Sequence, residues 1–310
     1  MTKADVAQPA GARTRRMVRR TFWLALAVTL LAGMMLLADI ALTWIRYGPR
    51  IDALADSVPE TTAYMARRAR DGQPPLHHRW VPLDSMPMPV VCAALAAENI
   101  RFFDQGTLDW AAQRGLLNRM LHGDFSRGSS GIAQQLARNL FLSPDRTLRR
   151  KLREYILAYK ISHTLTKERQ LELYLNLIEW GDQVWGVAAG SEQVMQRPLH
   201  QLRPSEIVLL VSVLPAPSRG LEYASSHPRR FKPAVVAEML WREGILDYLD
   251  WGATTARFRR TTDFIDLGMT PHEAARAVTE EMGEELVLEA DGAHPASVRE
   301  SCDPKRRGVS

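Results

Sequence analysis

The sequence predicts a mostly α-helical protein that a single N-terminal helix holds to a membrane. The first observation is an uninterrupted apolar segment over residues 22–45, and the second is a helical apolar periodicity from residue 90 to residue 249. The third is the scarcity of the alternating apolar and polar residues that are typical of strands. Together they indicate one anchor and one helical domain of about 150 to 170 residues.

The apolar segment over residues 22–45 is long enough to cross the hydrocarbon core of a bilayer. Trp23 and Trp44 lie near its two ends, where aromatic rings favour the membrane interface. Asp39 is its one charged residue and is close enough to the far end to reach the headgroups. A cleaved signal peptide is the alternative, but the apolar run is longer than is typical and no small-x-small cleavage site follows it. We therefore expect an uncleaved transmembrane anchor.

The charge distribution predicts the orientation of this anchor and limits the class of partner. Five arginines lie in the arm over residues 1–21: Arg13, Arg15, Arg16, Arg19 and Arg20. Basic residues stay on the cytoplasmic side, so we expect a cytoplasmic N-terminus and an extracytoplasmic remainder, residues 46–310. The net charge of +5 indicates an acidic partner. Much of it lies at the two ends of the chain, and no nucleic-acid-binding signature is present, so no nucleic acid is expected.

Beyond the anchor, the sequence predicts a neck, a domain and an extension. Residues 46–87 are expected to form a neck with a short helix over residues 51–70, followed by a linker too rich in proline for a helix to continue. The helical domain is expected over residues 88–249. Its candidate helices are 90–101, 108–121, 131–141, 146–163, 167–178, 184–195, 204–214 and 232–249. Residues 250–310 become polar and charged, and the end of this extension is expected to be disordered.

The two cysteines, Cys92 and Cys302, are far apart in the chain. Cys92 lies in an apolar run, and a buried free thiol is the interpretation that we prefer for it. Two cysteines neither require nor exclude an oxidising compartment.

A glycine- and serine-rich turn leads directly into a helical pattern over residues 127–142, RGSSGIAQQLARNLFL. Small residues leave backbone N–H groups open, and a turn that feeds a helix N-terminus suits a phosphate or a polar sugar. An ordinary capped helix is the alternative, because many helices begin after serine or glycine. The amphipathic segment over residues 108–121 also has two interpretations, since its apolar face could meet a membrane surface or the protein core.

Two glutamates have surroundings that suit acid/base chemistry. Glu98 ends a strongly apolar run, and apolar surroundings raise the proton affinity of a carboxylate. A surface position at a helix end is the alternative for this residue. Glu154 follows Arg150 and Lys151 at helical spacing, which fits an exposed ladder of ion pairs or a cationic patch around a working carboxylate. Glycosyl transfer, which uses two carboxylates, is one of several options that these residues leave open.

Four ordered stretches resemble the signatures of the monofunctional peptidoglycan glycosyltransferases, the family 51 enzymes that also form the polymerase half of bifunctional penicillin-binding proteins. Residues 97–109, AENIRFFDQGTLD, are similar to the signature Glu-Asp-x-x-Phe-x-x-His-x-Gly-x-Asp. Residues 127–142 resemble Gly-Gly-Ser-Thr-x-x-Gln-Gln-x-x-Lys-Asn, and residues 150–154 resemble Arg-Lys-x-x-Glu. Residues 172–187, ELYLNLIEWGDQVWGV, resemble the Tyr-Leu-Asn block and the glycines after it. The resemblance covers roughly residues 88–217.

The resemblance implies a lysozyme-like helical fold at the outer face of the bacterial inner membrane. It implies lipid II as acceptor, a lipid-linked nascent glycan as donor, a β-1,4 link formed with inversion, and release of undecaprenyl pyrophosphate. Carried over by position, Glu98 would be the general base on the acceptor hydroxyl, and Glu154 would assist the departing pyrophosphate. The other residues expected to contact substrate or line its site are Asn99, Phe102, Gln105, Ser130, Gln135, Arg138, Arg150 and Lys151.

The same resemblance assigns roles within this set. Arg138, Arg150 and Lys151 would hold the pyrophosphate, which suits guanidinium and ammonium groups. Phe102 would pack the loop behind Glu98. The resemblance also implies a divalent cation, Mg²⁺ or Mn²⁺, as a candidate cofactor, but no separate metal cluster is visible in the sequence and its adjacent histidines are poorly spaced for chelation. Other cell-wall synthesis proteins are further candidate partners, and the lack of a transpeptidase signature argues against cross-linking.

The chain also departs from the family pattern. The departures are Asn99 for Asp, Gln105 for His, Thr107 for Gly, Gly131 for Thr, Arg138 for Lys, and Val194-Met195 for an aromatic pair. Both glutamates remain, but a charge is lost beside Glu98, and glutamine cannot titrate as histidine can. A non-catalytic, membrane-anchored homologue that binds lipid II or serves as a scaffold is therefore the alternative hypothesis. A glycan-cleaving, lysozyme-like enzyme is a further one.

Overall fold

The computed structural model of the chain describes most of the predicted helical domain and its anchor. The described residues are 10–70, 78–99, 102–104, 131–145, 147–220, 233–242, 246, 248–285 and 302. Most of them are helical, and the sheet among them has two short strands. The mostly α-helical class predicted from the sequence is confirmed. The helix predicted over residues 108–121 lies outside the described residues, as does the serine-containing part of the turn before residue 131.

Helix α1, Ala10–Ala53, is 44 residues long and contains the predicted anchor. It is long and apolar enough to cross a membrane. The apolar side chains of this span are largely exposed, as at Leu24 and Leu37, each 67% exposed. Such a surface is unfavourable in water and is typical of a helix that lipid surrounds. Toward the C-terminal end of the apolar segment, Asp39 and Thr43 are buried instead, so there α1 lies against protein.

The continuous helix predicted over residues 51–70 is wrong, because the chain leaves α1 and begins helix α2, Ala63–Arg70, only after a break. Pro59 lies in this break. It has no backbone N–H to donate, and it restricts the residue before it to extended angles. Thr62 then begins α2, since its hydroxyl accepts a hydrogen bond from the backbone N–H of Met65 at 3.0 Å.

Asn176 makes several of the contacts that hold the described part of the linker, residues 78–87, to the domain. The Asn176 side chain accepts from the backbone N–H of Val81 and donates to its carbonyl, each at 2.8 Å. His78 Nε2 lies 2.9 Å from the Asn176 carbonyl oxygen. Burial lowers the pKa of His78, and the contact with that carbonyl raises it in part. A short 3-10 helix, Leu83–Ser85, then leads into the domain.

Six helices and a hairpin surround the main hydrophobic core. The helices are α3, Met88–Glu98; α4, Ile132–Phe141; α5, Leu148–Thr164; α6, Lys167–Leu177; α7, Val187–Val194; and α8, Pro204–Ser212. Helix α4 contacts both α5 and α6, α3 packs on α8, and the C-terminal part of α1 packs along α5. Threonine caps begin two of them: Thr147 accepts from Arg150 N–H, and Thr166 from Arg169 N–H, each at 3.1 Å. The sequence predicted all six apart from their ends.

A short antiparallel hairpin precedes α7, so the helix predicted over residues 184–195 begins later, at Val187. Strand β1, Glu179–Gly181, pairs with β2, Val184–Trp185. Gly186 then turns the chain at φ +84°, and a Cβ there would lie 2.7 Å from the Asn176 carbonyl oxygen. A glycine is required at this junction because both the backbone angle and the close approach exclude a side chain.

The helix predicted over residues 232–249 is also wrong at its end. Helix α9, Pro233–Arg242, is followed by α10, Tyr248–Asp266, and α11, Pro271–Met282, which the sequence analysis did not predict. Helix α10 packs on α8, α9 and α11. Polar contacts hold this unit: Arg257 donates to the Met282 carbonyl at 3.0 Å, and the Glu285 carboxylate accepts from the Ser205 N–H at the start of α8 at 3.2 Å. Some of the buried positions in these helices are polar, so the sequence lacks the apolar periodicity that predicts a helix.

The preferred interpretation of Cys92 as a free thiol is wrong. Cys92 in α3 forms a disulfide with Cys302, with the two Cα atoms 5.2 Å apart. The partners are separated by 210 residues in sequence, so no local pattern could pair them. Because α3 ends at Glu98, the disulfide ties the C-terminal segment to the helix that carries this glutamate.

Candidate active site

Glu98 lies at the carboxyl end of α3, where the apolar first part of the helix is buried and its last residues reach a less buried surface. Its carboxylate accepts a hydrogen bond from the side-chain amide of Gln135 on α4, with Nε2 2.6 Å from Oε2. The Tyr174 hydroxyl on α6 also hydrogen-bonds to Glu98 and lies 3.4 Å from the side-chain amide oxygen of Gln135, Oε1. Three helices therefore hold one carboxylate in place.

Tyr174 is fully buried behind this carboxylate. Burial and then the charge of Glu98 raise the pKa of the Tyr174 hydroxyl, while the nearby Arg138 lowers it in part. The hydroxyl therefore keeps its proton at neutral pH and acts as a donor. Donors that orient a carboxylate without neutralising it leave an oxygen lone pair for a substrate proton.

The residues that follow Glu98 return to the start of α4. Asn99 caps α3, and its Nδ2 lies 3.8 Å from the point where a Cβ on Gly131 would be. Phe102 is buried, and the Lys167 ammonium lies 4.4 Å from the centre of its ring. The loop after Glu98 and the last residue of the glycine-rich turn are therefore neighbours.

Glu154 lies on α5, is 1% exposed, and binds two cations of its own helix. Arg150 Nη1 donates to one carboxylate oxygen and Lys151 Nζ donates to the other. Burial is the largest influence on Lys151 and lowers its pKa; the Glu154 charge raises it, and Arg150 and Arg138 lower it again. Buried charge of both signs is costly unless it is paired, so this arrangement is stabilised by its own hydrogen bonds.

Arg138 on α4 connects the two carboxylates. It is close enough to Lys151 to lower the pKa of that ammonium, and close enough to Tyr174 to act on the hydroxyl beside Glu98. Helix α4 thus presents Gln135 to one glutamate and, one turn later, Arg138 to the cations around the other. The Arg150 Nε is buried and has no hydrogen-bond partner among the residues that the structure describes. The site therefore combines two carboxylates, three cations and a spare guanidinium donor.

Comparison with known proteins identifies this arrangement. A family model described as transglycosylase matches residues 67–239, which is more than half of the chain. The chain belongs to the transglycosylase family. The match includes both carboxylates and all the helices that position them, from α3 to α8. The transglycosylase is therefore a glycosyltransferase with the lysozyme-like helical fold that the sequence analysis expected.

Two relatives show how far the similarity of the transglycosylase extends. A biosynthetic peptidoglycan transglycosylase of Azoarcus sp. (strain BH72) is 32% identical over 244 residues, which are 74% of this chain and 96% of the relative. One of Rhodospirillum centenum is 38% identical over 161 residues, which are 52% of this chain and 70% of the relative. The alignment with the Azoarcus protein thus spans nearly the full length of that relative.

The structure of the transglycosylase brings together the predicted site residues that it describes. These are Glu98, Asn99, Phe102, Gln135, Arg138, Arg150, Lys151 and Glu154. Gln105 and Ser130 lie outside the described residues. Within the described part of the chain, no group of three or more His, Cys, Asp or Glu residues could hold a metal ion.

Sequence reasoning missed two contacts of the transglycosylase, one made to Glu98 and one made to the helix that carries Glu154. Tyr174 belongs to the Tyr-Leu-Asn block, and that block was the available signal, but nothing local indicated that its hydroxyl reaches Glu98. Asp39 was noted only as a charge near the headgroups. In the structure it is bound by Arg149 and Arg153 of α5, the helix that carries Glu154. Both contacts join residues that are distant in sequence.

Proposed function

We propose that the transglycosylase polymerises peptidoglycan glycan strands, with lipid II as acceptor and a lipid-linked nascent glycan as donor. The observation that carries the proposal is a pair of glutamates, one held by neutral donors and the other bound by cations, with α4 contributing Gln135 to the first and Arg138 near the second. Glycosyl transfer needs one group that removes a proton and another environment that stabilises the departing anion. The names of the relatives give the same substrate class.

Glu98 is the proposed general base. Its carboxylate takes the proton of the acceptor sugar hydroxyl as that oxygen attacks the donor anomeric carbon. The bond from that carbon to the pyrophosphate oxygen breaks, and the configuration inverts to give a β-1,4 link. The amide of Gln135 and the hydroxyl of Tyr174 orient the carboxylate, because each donates to it. Phe102 packs the loop behind Glu98, and Asn99 and Gln105 contact the substrate.

The cationic group around Glu154 is proposed to receive the pyrophosphate. Lys151, Arg150 and Arg138 carry positive charge at a partly buried site, where it acts on an anion more strongly than in water. The Arg150 Nε supplies a further donor. Glu154 keeps Arg150 and Lys151 in place and assists departure of the leaving group, which leaves as undecaprenyl pyrophosphate. Ser130 lies outside the described residues, and the resemblance of its motif assigns it to the same site.

A divalent cation is not assigned a step. The Glu154 carboxylate is bound on both oxygens by cationic side chains, which is a poor fit to a hard metal ion that needs free oxygen ligands. The three basic side chains already supply the charge that such an ion would bring. Mg²⁺ or Mn²⁺ therefore stays a hypothesis that the donor set of the described residues does not favour.

The proposed location is the bacterial inner membrane, with a cytoplasmic N-terminus and the domain on the outer side. The long apolar α1 supports the anchor, and the arginines before it support the orientation. The Cys92–Cys302 disulfide supports an oxidising compartment for the domain. Residues 1–21 form the arm, 22–45 the anchor, 46–87 the neck and linker and 88–249 the transferase unit, with 250–310 as an extension. Other cell-wall synthesis proteins are proposed partners on this outer side.

The test is polymerisation of lipid II in detergent by the purified protein, with glycan chains separated on a gel. Glu98→Gln keeps the shape of the side chain but removes the base, so the rate should fall by about 10²–10⁴-fold. Glu154→Gln should also lower it. Glu192→Gln is the matched control, because it removes a half-exposed carboxylate of the same domain that pairs with Arg79.

The outcomes separate the alternatives. Wild-type protein that makes no glycan but binds lipid II would overturn the enzyme proposal in favour of a scaffold. Release of soluble muropeptides from purified cell walls would indicate cleavage instead. A rate that Glu98→Gln leaves unchanged would refute the role of this glutamate.

A further inference from the structure

Asp39 is a buried acid within the segment that the anchor uses to cross the membrane. Its relative exposure is 7%, whereas Leu37, two residues before it, is 67% exposed. A carboxylate facing lipid would be strongly unfavourable, and acidic residues in such segments therefore face protein or a partner charge. The position of Asp39 thus requires a partner, and the structure supplies two.

Two guanidinium groups of α5 bind this carboxylate. Arg149 donates to Asp39 Oδ1 from Nε at 3.1 Å and from Nη2 at 2.7 Å. Arg153, one helical turn later, donates to Oδ2 from Nε at 3.2 Å and to Oδ1 from Nη2. Such forked contacts fix orientation as well as distance.

The contact continues along both helices in parallel. Further out on α1, Asp52 pairs with Lys160 at 2.5 Å and accepts from Thr164 at 3.4 Å. The Lys160 ammonium also lies 5.3 Å from the ring centre of Trp44. The outer part of the anchor therefore lies along α5 over most of the length of that helix, and Asp39 is its contact closest to the lipid.

The same helix carries the proposed pyrophosphate site. Arg149 immediately precedes the motif over residues 150–154, and Arg153 lies within it. The anchor contact therefore shares one rigid helix with Arg150, Lys151 and Glu154, and a shift of the contact moves these three residues.

The height of this contact can be estimated from the helix. Asp39 is 17 residues beyond Phe22, the first residue of the apolar segment, or about 26 Å at 1.5 Å per residue. A hydrocarbon core is about 30 Å thick, so Asp39 lies near its outer boundary. Leu148 and Arg149 beside it are exposed, as suits an interface of acyl chains and phosphates.

We infer that Asp39 is a positioning residue, which clamps the anchor to α5 through Arg149 and Arg153 and so holds the cationic group at the height of lipid phosphates. This inference rests on the proposed function, since it concerns where the pyrophosphate of a membrane-embedded substrate meets the site. A pyrophosphate on a membrane lipid is confined to the headgroup plane, and a site displaced from that plane binds it poorly.

The test compares the full-length protein in two surroundings. In vesicles of phosphatidylethanolamine and phosphatidylglycerol that contain lipid II, Asp39→Asn should lower the polymerisation rate on the order of tenfold. In detergent micelles, which impose no plane, the rate should change little. Asp39→Glu keeps the charge and should bring the vesicle-to-micelle ratio back toward wild type. Glu280→Gln, which removes an exposed ion pair with Arg276 on α11, is the matched control.

A second readout needs no turnover. A fluorophore on Leu148→Cys reports depth through quenching by brominated acyl chains, and Asp39→Asn should change this quenching in vesicles. If Asp39→Asn does not fold, Arg149→Gln with Arg153→Gln removes the same contact from the side of the domain. An unchanged vesicle-to-micelle ratio with unchanged quenching would overturn the inference. Wild-type protein that is inactive in both surroundings would instead overturn the proposed function. The quenching measurement would still show whether Asp39 clamps the anchor to α5.

Discussion

Lys151 shows how burial and charge compete at a single side chain of the site. Burial lowers its pKa most, Glu154 opposes that shift, and Arg150 and Arg138 add to it. The net effect is a pKa below the ordinary value of lysine. A lysine is charged below its pKa and neutral above it, so this residue loses its charge at a lower pH than a solvated lysine does. An ammonium that holds a pyrophosphate must stay charged.

The first prediction at this scale concerns alkaline pH. The polymerisation rate should fall on the alkaline side before an ordinary lysine would titrate, because Lys151 becomes neutral there. Lys151→Arg should move this decline to higher pH, since a guanidinium stays charged. The measurement is the rate of glycan formation between pH 7 and pH 10.5.

Lys167→Arg is the control for this experiment. Burial lowers the pKa of Lys167 as well, but its ammonium lies over the Phe102 ring and not beside the cationic group. Lys167→Arg should not change the pH at which the polymerisation rate declines. A decline that moves with Lys167→Arg and not with Lys151→Arg would contradict the role given to Lys151.

Helix α5 is the element on which the site depends most. Its Arg149 and Arg153 bind the anchor, while Lys151 and Glu154 contribute to the site. Successive residues of a helix project about 100° apart, so one short motif can serve two neighbours at once. The effect of removing the anchor contact or the contact between Lys151 and Glu154 should therefore be measured on both membrane position and turnover.

The junction between the hairpin and α7 gives a prediction at the same scale. Gly186→Ala places a Cβ 2.7 Å from the Asn176 carbonyl at a backbone angle that only glycine adopts readily. We expect a loss of about 1–3 kcal/mol in the free energy of unfolding. Thermal unfolding in detergent, followed by circular dichroism, measures it.

Gly252→Ala is the matched control. Gly252 lies within α10, where nothing is within 4 Å of the new Cβ, and alanine is the better helix former by roughly 0.5–1 kcal/mol. This variant should be as stable as wild type or more so. Equal destabilisation of the two variants would contradict the account of Gly186.

At the scale of the whole molecule, the C-terminal part of the chain is joined to the helix that ends at Glu98. Helices α10 and α11 pack beside α8 and α9, Glu285 caps the start of α8, and Cys302 reaches Cys92. A cross-link between distant residues restricts the unfolded chain and so stabilises the folded one. The extension is therefore part of the fold of this transglycosylase through at least residue 285.

The prediction at this scale is that removing the disulfide lowers stability more than it lowers the rate. Cys92→Ala with Cys302→Ala should lower the free energy of unfolding by about 2–4 kcal/mol, with glycan synthesis retained at 25 °C because neither cysteine contacts the site. Thermal unfolding with and without reductant measures it. Reductant should destabilise wild type and leave the double variant unchanged; free thiols in the unreduced native protein would contradict the pairing.

Much of this fold could be predicted because its signals are local. The exposed apolar surface of α1 and the apolar faces of α4 to α8 follow from spacing along the chain. The errors have physical causes. Pro59 interrupts the helix predicted for the neck, and the hairpin that ends at Gly186 makes α7 begin later than predicted. Helix α10 buries polar side chains, so its sequence lacks the apolar periodicity that predicts a helix.

The site was predicted in part for the same reason. Glu98, Gln135, Arg138 and Glu154 stand in contiguous motifs, so their chemistry was visible. Their partners were not: no spacing rule connects Tyr174 to Glu98 across 76 residues, or Asp39 to Arg153 across 114.

The sequence by itself determined that this chain is a helical transferase with two candidate glutamates and an N-terminal helix long and apolar enough to cross a membrane, because apolar spans, helices and motifs are encoded by neighbouring residues. Only the tertiary structure decided that Tyr174 supports Glu98, that Cys92 is paired, and that the anchor binds the helix of Glu154. These contacts join distant segments, and distance along the chain carries no information about which of them meet in space.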